Sequence, residues 1–187
     1  MSLGLCQTGH MHGVTEICPE CQFDPTTVVD GEVADRFATF AKRYPIPLTR
    51  LLPSDSPAIL TNKPDPATWS AQEYAGHAAQ CFEETASWIA TLQSGGEARF
   101  NGSDVDAAVL EAAFNQKPAA EVAMRVATAA TRTAELIRTL STEDFGREVG
   151  FGEWNVPFRL LLVAQIHEGH HHLLDIGRIL RAERGRT

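Results

Sequence analysis

The stretch SAQEYAGHAAQCFEETASWIATLQ, residues 70–93, decides the fold. Ser70 is followed three residues later by Glu73, the capping-box spacing in which each side chain satisfies an orphan backbone N–H at a helix start. Tyr74, Ala78, Cys81, Phe82, Trp88, Ile89 and Leu92 then recur at helical intervals and form one apolar stripe. Gly95-Gly96 ends the run. His77 stands one turn from Tyr74 and from Cys81, which places it on the inward side of this helix.

Three further helices are expected around it. Val33, Phe37, Phe40 and Ala41 give Asp30 to Arg43 a helical period, which Pro45 and Pro47 break. A helical turn is expected around Leu48, Leu51 and Leu52, and Pro64 and Pro66 mark a loop. Pro118 suits the first turn of a helix whose inward face is Val122, Val126, Ala129, Ala130, Leu136, Ile137 and Leu140. The last helix runs from about Pro157 to about Arg184, with an Arg-rich end that its dipole favours. Gly146, Gly150 and Gly152 mark a loop with at most a short extended piece, and no convincing strand pair is visible. The expected fold is all-α: an antiparallel four-helix bundle over residues 28–187, with a small Cys/His-rich module over residues 1–27.

Composition narrows the function. The 187 residues carry a net charge of −8 without a basic cluster, which argues against nucleic acid or an anionic membrane as partner. The longest apolar stretch, Leu160 to Ile166, includes Gln165 and is too short to span a bilayer. The N-terminus has no basic region followed by an apolar one, so the expected location is the cytoplasm.

Histidine and cysteine carry the chemistry. His167 and His171 are four residues apart, a spacing that puts two imidazoles on one helix face, where both reach one ion. His170 competes for that face at i+3, and His172 is expected to point away, toward an outer shell or solvent. His77 is the candidate third ligand from a facing helix, although a buried histidine often needs only a hydrogen-bond partner. Three neutral imidazoles leave coordination positions open, as a catalytic site requires, and suit zinc, nickel or iron better than calcium or magnesium.

His167-Glu168-Gly169-His170-His171 also reads as H-E-x-x-H, in which Glu168 would be the general base of a zinc protease. The longer protease pattern needs Gly at 174 and His at 177, where this chain has Leu174 and Gly177. Only 16 residues follow His171, too few for a further ligand helix. At the N-terminus, Cys18-Pro19-Glu20-Cys21 is a C-x-x-C turn resembling half of a zinc knuckle. Cys6 with His10 or His12 would complete a structural zinc site, and a redox dithiol is the rival reading. Cys81 reads as a small buried hydrophobe one turn from His77.

Two motifs together resemble the DinB-like (YfiT-like) metalloenzyme superfamily. They are Trp69 to His77 opening one helix and His167-Glu168-Gly169-His170-His171-His172-Leu173-Leu174-Asp175-Ile176 in the last. The resemblance covers most of residues 30–184 and implies a four-helix bundle with a three-His metal site. The family's ligand pattern falls on His77, His167 and His171, which selects His171 over His170. The superfamily includes enzymes that use low-molecular-weight thiols, so the implied activity is a metal-dependent S-transferase, isomerase or hydrolase acting on a small molecule, with homodimers common among similar proteins. Leu173-Leu174 replaces the usual Gly-Gln after the last ligand, a departure from the family pattern that bears on any specific thiol substrate. A thiol presented as thiolate, or water activated for hydrolysis, are the two chemistries such an ion supports. Glu168 and Asp175 are candidates to orient the imidazoles. The alternative from another class is a non-catalytic metal-binding or sensor protein.

Overall fold

Ser70 caps the helix its pattern predicts. In the computed structural model, which describes residues 15–100 and 104–185, the Glu73 N–H donates to Ser70 Oγ at 3.1 Å and the Ser70 N–H donates to Glu73 Oε2 at 2.8 Å. In chain order the helices are α1 (Val33–Arg43), α2 (Pro45–Thr49), α3 (Ala71–Gln93), α4 (Val105–Ala112), α5 (Ala119–Ile137), α6 (Thr142–Gly146) and α7 (Phe158–Glu183). The strands are β1 (Arg99–Phe100), β2 (Glu148–Phe151) and β3 (Trp154–Pro157). The four long helices begin and end close to the positions that caps, glycines and prolines mark in the sequence.

The bundle is a ring. Helix α1 packs on α5 and α7, and α3 packs on the same two helices. The ring order is therefore α1, α5, α3, α7: α1 and α3 are diagonal partners, whereas α3 and α5, consecutive in the chain, are neighbours. The diagonal between α1 and α3 is filled by aromatic rings: Phe40 stacks on Phe82 at 5.3 Å, while Phe37 and Tyr44 meet Phe82 edge-on at 5.6 and 6.0 Å. Phe37, Tyr44 and Phe82 are fully buried, and burial of each such ring contributes about 1.5–3 kcal/mol relative to exposure. The Tyr44 hydroxyl donates to the Gly169 carbonyl at 2.8 Å, which satisfies the phenol and ties α1 to the middle of α7.

One expectation is corrected. The glycine-rich loop after α6 folds into an antiparallel hairpin, β2 with β3, in which Val149 pairs with Val156. Gly152 turns it with φ +56°, a backbone conformation that glycine adopts without steric cost. Strand β1 adds in parallel to β2, and Phe100 stacks on Phe151 at 5.3 Å. Each strand is too short for a period-2 pattern to stand out in the sequence. This small sheet meets Trp88 near the C-terminal end of α3, about three helical turns from His77.

The chain ahead of α1 runs antiparallel along α7. Cys18 lies beside His171, Phe23 stacks on His167 at 5.3 Å, and the Val28 carbonyl accepts from Arg159. Arg159 also meets Asp30 at 2.6 Å. Cys18, Phe23 and Val28 are buried in the same core as the bundle helices. Among the described residues, no helix is long and apolar enough to cross a membrane.

Candidate metal centre

Helix α7 gathers the potential donors in two groups, one with α3 and one with the segment ahead of α1. Among the described residues, the first group is His77, Glu168 and His172, and the second is Cys18, Cys21, His167 and His171. Within each group the donor atoms lie within 4.8 Å of one another. His77, His167 and His171 are thus not gathered at one point. The physical reason is the helical step: positions 168 and 172 repeat the four-residue spacing of 167 and 171, turned by about 100° about the α7 axis. It is the 168/172 pair that faces α3.

His172, expected to point outward, is 3% exposed. Its ring lies edge-on to that of His77, with centroids 5.1 Å apart. Its Nε2 is 3.2 Å from Glu168 Oε2, and its Nδ1 is 3.2 Å from Asp175 Oδ2. Asp175 is in turn held by Arg178 at 3.2 Å. His77 and Glu168 are as deeply buried as His172. Trp69 lies over His77 at 4.9 Å and Tyr74 over His172 at 5.2 Å, so aromatic rings wall the centre on the α3 side. Cys81 Sγ is 3.4 Å from His77 Nε2.

Two glycines make this approach possible. A Cβ on Gly76 would lie 2.4 Å from the Phe114 ring, and one on Gly169 would lie 2.8 Å from Phe40 and 3.0 Å from Phe82. Each glycine adjoins a donor residue, Gly76 before His77 and Gly169 after Glu168. A glycine inside a helix costs about 1 kcal/mol relative to alanine, and here that cost is offset by close packing behind the donors.

The electrostatics suit a cation. Burial, with the neighbouring His172, lowers His77 to about 3, so it is a neutral imidazole with a lone pair to give. Burial also pulls His172 down, but its bonds to Asp175 and Glu168 and their charges outweigh that and raise it to about 10. Glu168 and Asp175 thus favour positive charge between them. A divalent ion would take the place of that positive charge.

The second group sits on the adjoining face of α7. The His171 Nδ1 is 3.6 Å from Cys18 Sγ. Its Nε2 is 3.8 Å from both Glu20 and Asp175. Neither ring nitrogen of His167 has a hydrogen-bond partner, although both are buried. Leaving a buried polar atom unsatisfied costs about 1–3 kcal/mol, which makes such a ring a sign of a missing partner. Burial, with the adjacent Cys18 thiol adding to it, pushes the Cys21 thiol up to about 12. Cys18 and Cys21 are not joined in a disulfide. Cys6, His10 and His12, the other expected N-terminal ligands, lie outside the described residues. His170 joins neither group and lines a cleft of about 820 Å³ with Phe23, Arg36 and Arg43.

The fold and the site are those of a four-helix bundle with potential metal donors gathered on α3 and α7. Residues 47–174 match the DinB superfamily, and the chain belongs to that superfamily. Comparison with curated protein sequences finds no match. Among solved structures the chain resembles YfiT from Bacillus subtilis, described as a probable metal-dependent hydrolase with an unusual four-helix bundle topology. The TM-score is 0.69 at 15% identity, over 94% of this chain and 99% of that one.

The grouping of Glu168 and His172 with His77 is what the sequence reading did not anticipate. The signal was present: Glu168 and His172 are also an i, i+4 pair. Residues 160–166 are apolar on every face except at Gln165, as in a helix covered from more than one side.

Proposed function

We propose that the protein is a metal-dependent enzyme whose ion is held by His77, Glu168 and His172, and that it hydrolyses a small-molecule substrate. The observation that carries this reading is the convergence of three buried donors from two facing helices, three rather than four. Two imidazoles and one carboxylate suit zinc, nickel or iron, and three protein ligands leave room for water or substrate. The group fits the residues present: His77 is neutral, and Glu168 supplies negative charge in a buried place.

An ion there would supply Lewis acidity and a route to an activated water. The chain's own residues do the rest. Asp175 fixes the ring of His172 through Nδ1 and leaves Nε2 directed at Glu168 and the centre. Trp69 and Tyr74 exclude bulk water from the α3 side, and Tyr74 remains a neutral phenol because burial, with Asp175 nearby, raises it to about 12. Glu168 serves as a ligand in this arrangement. The protease reading, with Glu168 as base between liganding His167 and His171, is not favoured, because those two histidines face Cys18 and Cys21.

The relationship to YfiT supports hydrolysis as the first reaction to test. The experiment is metal analysis of the purified protein, followed by a screen of ester, amide and thioester substrates with and without low-molecular-weight thiols. His77→Ala and Glu168→Gln are the controls. We expect one ion per chain to be lost in either variant, together with turnover. A variant that keeps both its ion and its rate would overturn the assignment. Activity that appears only with an added thiol would replace hydrolysis with thiol transfer at the same centre.

A further inference from the structure

We propose that Cys18, Cys21, His167 and His171 form a second metal site, a closed four-ligand zinc centre that fastens the segment ahead of α1 to the last helix. The assignment does not depend on the reaction at His77, and it lies partly outside the segment matched to the superfamily, which begins at residue 47.

Four observations converge on it. The donor atoms already lie within 4.8 Å of one another, close to the spacing a tetrahedral ion imposes. Two thiolates and two imidazoles are a donor set that selects zinc over hard cations, and the two sulfur charges cancel that of the ion, so the buried site is neutral. The Cys18–Cys21 turn has the shape of a metal knuckle: the Gln22 N–H donates to the Cys18 carbonyl at 2.9 Å, and the Cys18 N–H donates to the Phe23 carbonyl at 2.9 Å. Gln22 takes the left-handed φ of +58° that closes this turn. His167, buried with no hydrogen-bond partner on either nitrogen, gains one through the ion.

The surroundings also fit. His171 turns Nδ1 to Cys18 and leaves Nε2 between Glu20 and Asp175, the carboxylate placement that commonly orients a metal-bound imidazole. Arg178 holds Glu20 at 2.8 Å and so ties the Cys18–Cys21 turn to α7 independently of the ion. Zinc binding displaces a proton from each thiol and forms two Zn–S and two Zn–N bonds, with no change of oxidation state. Four protein ligands leave no open position, so the role is to hold chain against helix rather than to turn over substrate. The two ions would sit on adjoining faces of α7, each drawing on a pair of residues four apart.

The test uses the full-length chain, loaded with cobalt(II) as a spectroscopic stand-in for zinc. Wild type is expected to bind two ions per chain and to show the near-ultraviolet thiolate-to-cobalt absorption of a tetrahedral sulfur site. The Cys18→Ser, Cys21→Ser double variant is expected to bind one and lose that absorption. His77→Ala is expected to bind one and keep it. His167→Gln and His171→Gln should each weaken it. If both histidine variants keep the full absorption, the ligand set is wrong. If the cysteine double variant still binds two ions, the second ion is not held by Cys18 and Cys21 and the proposal fails. Should the variants fail to fold, alkylation of wild type with peptide mapping decides the matter. Zinc should protect Cys18 and Cys21, and a chelator should expose them. Equal labelling under both conditions, or recovery of the pair as a disulfide that excess zinc and reductant do not convert, would overturn the proposal.

Discussion

Glu168 and His172 stand one helical turn apart with Oε2 and Nε2 separated by 3.2 Å, and each has a neighbour, His167 and His171, that faces a different set of donors. One turn of α7 thus presents two i, i+4 pairs out of step by a single residue. Adjacent histidines should therefore have separable effects. His172→Ala should remove the ion at the His77 centre, and activity with it, while the cysteine-based absorption remains. His171→Ala should do the reverse. Metal stoichiometry and cobalt spectra of the two variants check this, and identical losses in both would contradict the two-face arrangement.

Two helical glycines should respond to alanine with opposite signs. Gly76→Ala drives a Cβ into the buried Phe114 ring and should destabilise by about 1–3 kcal/mol, with His77 displaced. At Gly177 the nearest neighbour is Arg181 Nη1 at 3.4 Å, the end of a flexible side chain. Gly177→Ala should stabilise by up to about 1 kcal/mol through helix propensity. Urea titrations of both variants measure the difference.

Tyr44→Phe removes the bond to the Gly169 carbonyl without changing the packing of the ring. The expected loss is about 0.5–1.5 kcal/mol, as for a single neutral hydrogen bond. Metal content should be unchanged, because the bond that is lost runs to the helix backbone. A loss of the ion in this variant would show that the centre depends on the exact seat of α7.

Ser70→Ala should cost about 0.5–2 kcal/mol by opening the cap of α3. The serine hydroxyl also donates to Asn115 at 2.7 Å, so the upper part of that range is expected. Thermal unfolding of the variant beside a Ser70→Thr control, which can keep the cap, separates the hydroxyl from the packing.

Chelation should lower the unfolding temperature, since ligands that bind only the folded chain stabilise it by mass action, by about 2.7 kcal/mol at one hundred times the dissociation constant. The drop should be smaller in the Cys18→Ser, Cys21→Ser variant, which has one fewer ion to lose. Calorimetry with and without chelator on both proteins makes the comparison.

Local chemistry was readable from the sequence where one residue type determines one geometry. Ser70 with Glu73 located the start of α3, Gly95 its end, and Pro118 the start of α5. The inward position of His77 followed from its distance to Tyr74 and Cys81. What the sequence left open was rotation. Residues 167–172 are an almost unbroken run of donors, so two pairs with the same spacing compete. Choosing between them requires knowing which face α3 covers and which face is covered by chain almost 150 positions earlier. That second cover, Cys18 to Phe23, also explains why α7 has no exposed side over residues 161–169. The small sheet escaped notice for a different reason: its strands are shorter than the window over which alternation can be recognised.

The shared carboxylate Asp175 gives the arrangement a further meaning. Its Oδ2 is 3.2 Å from His172 and 3.8 Å from His171, one residue from each group. A side chain so placed acts as a common tether. Any event that pulls His171 away, such as oxidation of the knuckle or release of the N-terminal strap, changes what Asp175 can offer His172. The stability of the chain's beginning and the basicity of a ligand near its end would then vary together, with one aspartate as the joint between them.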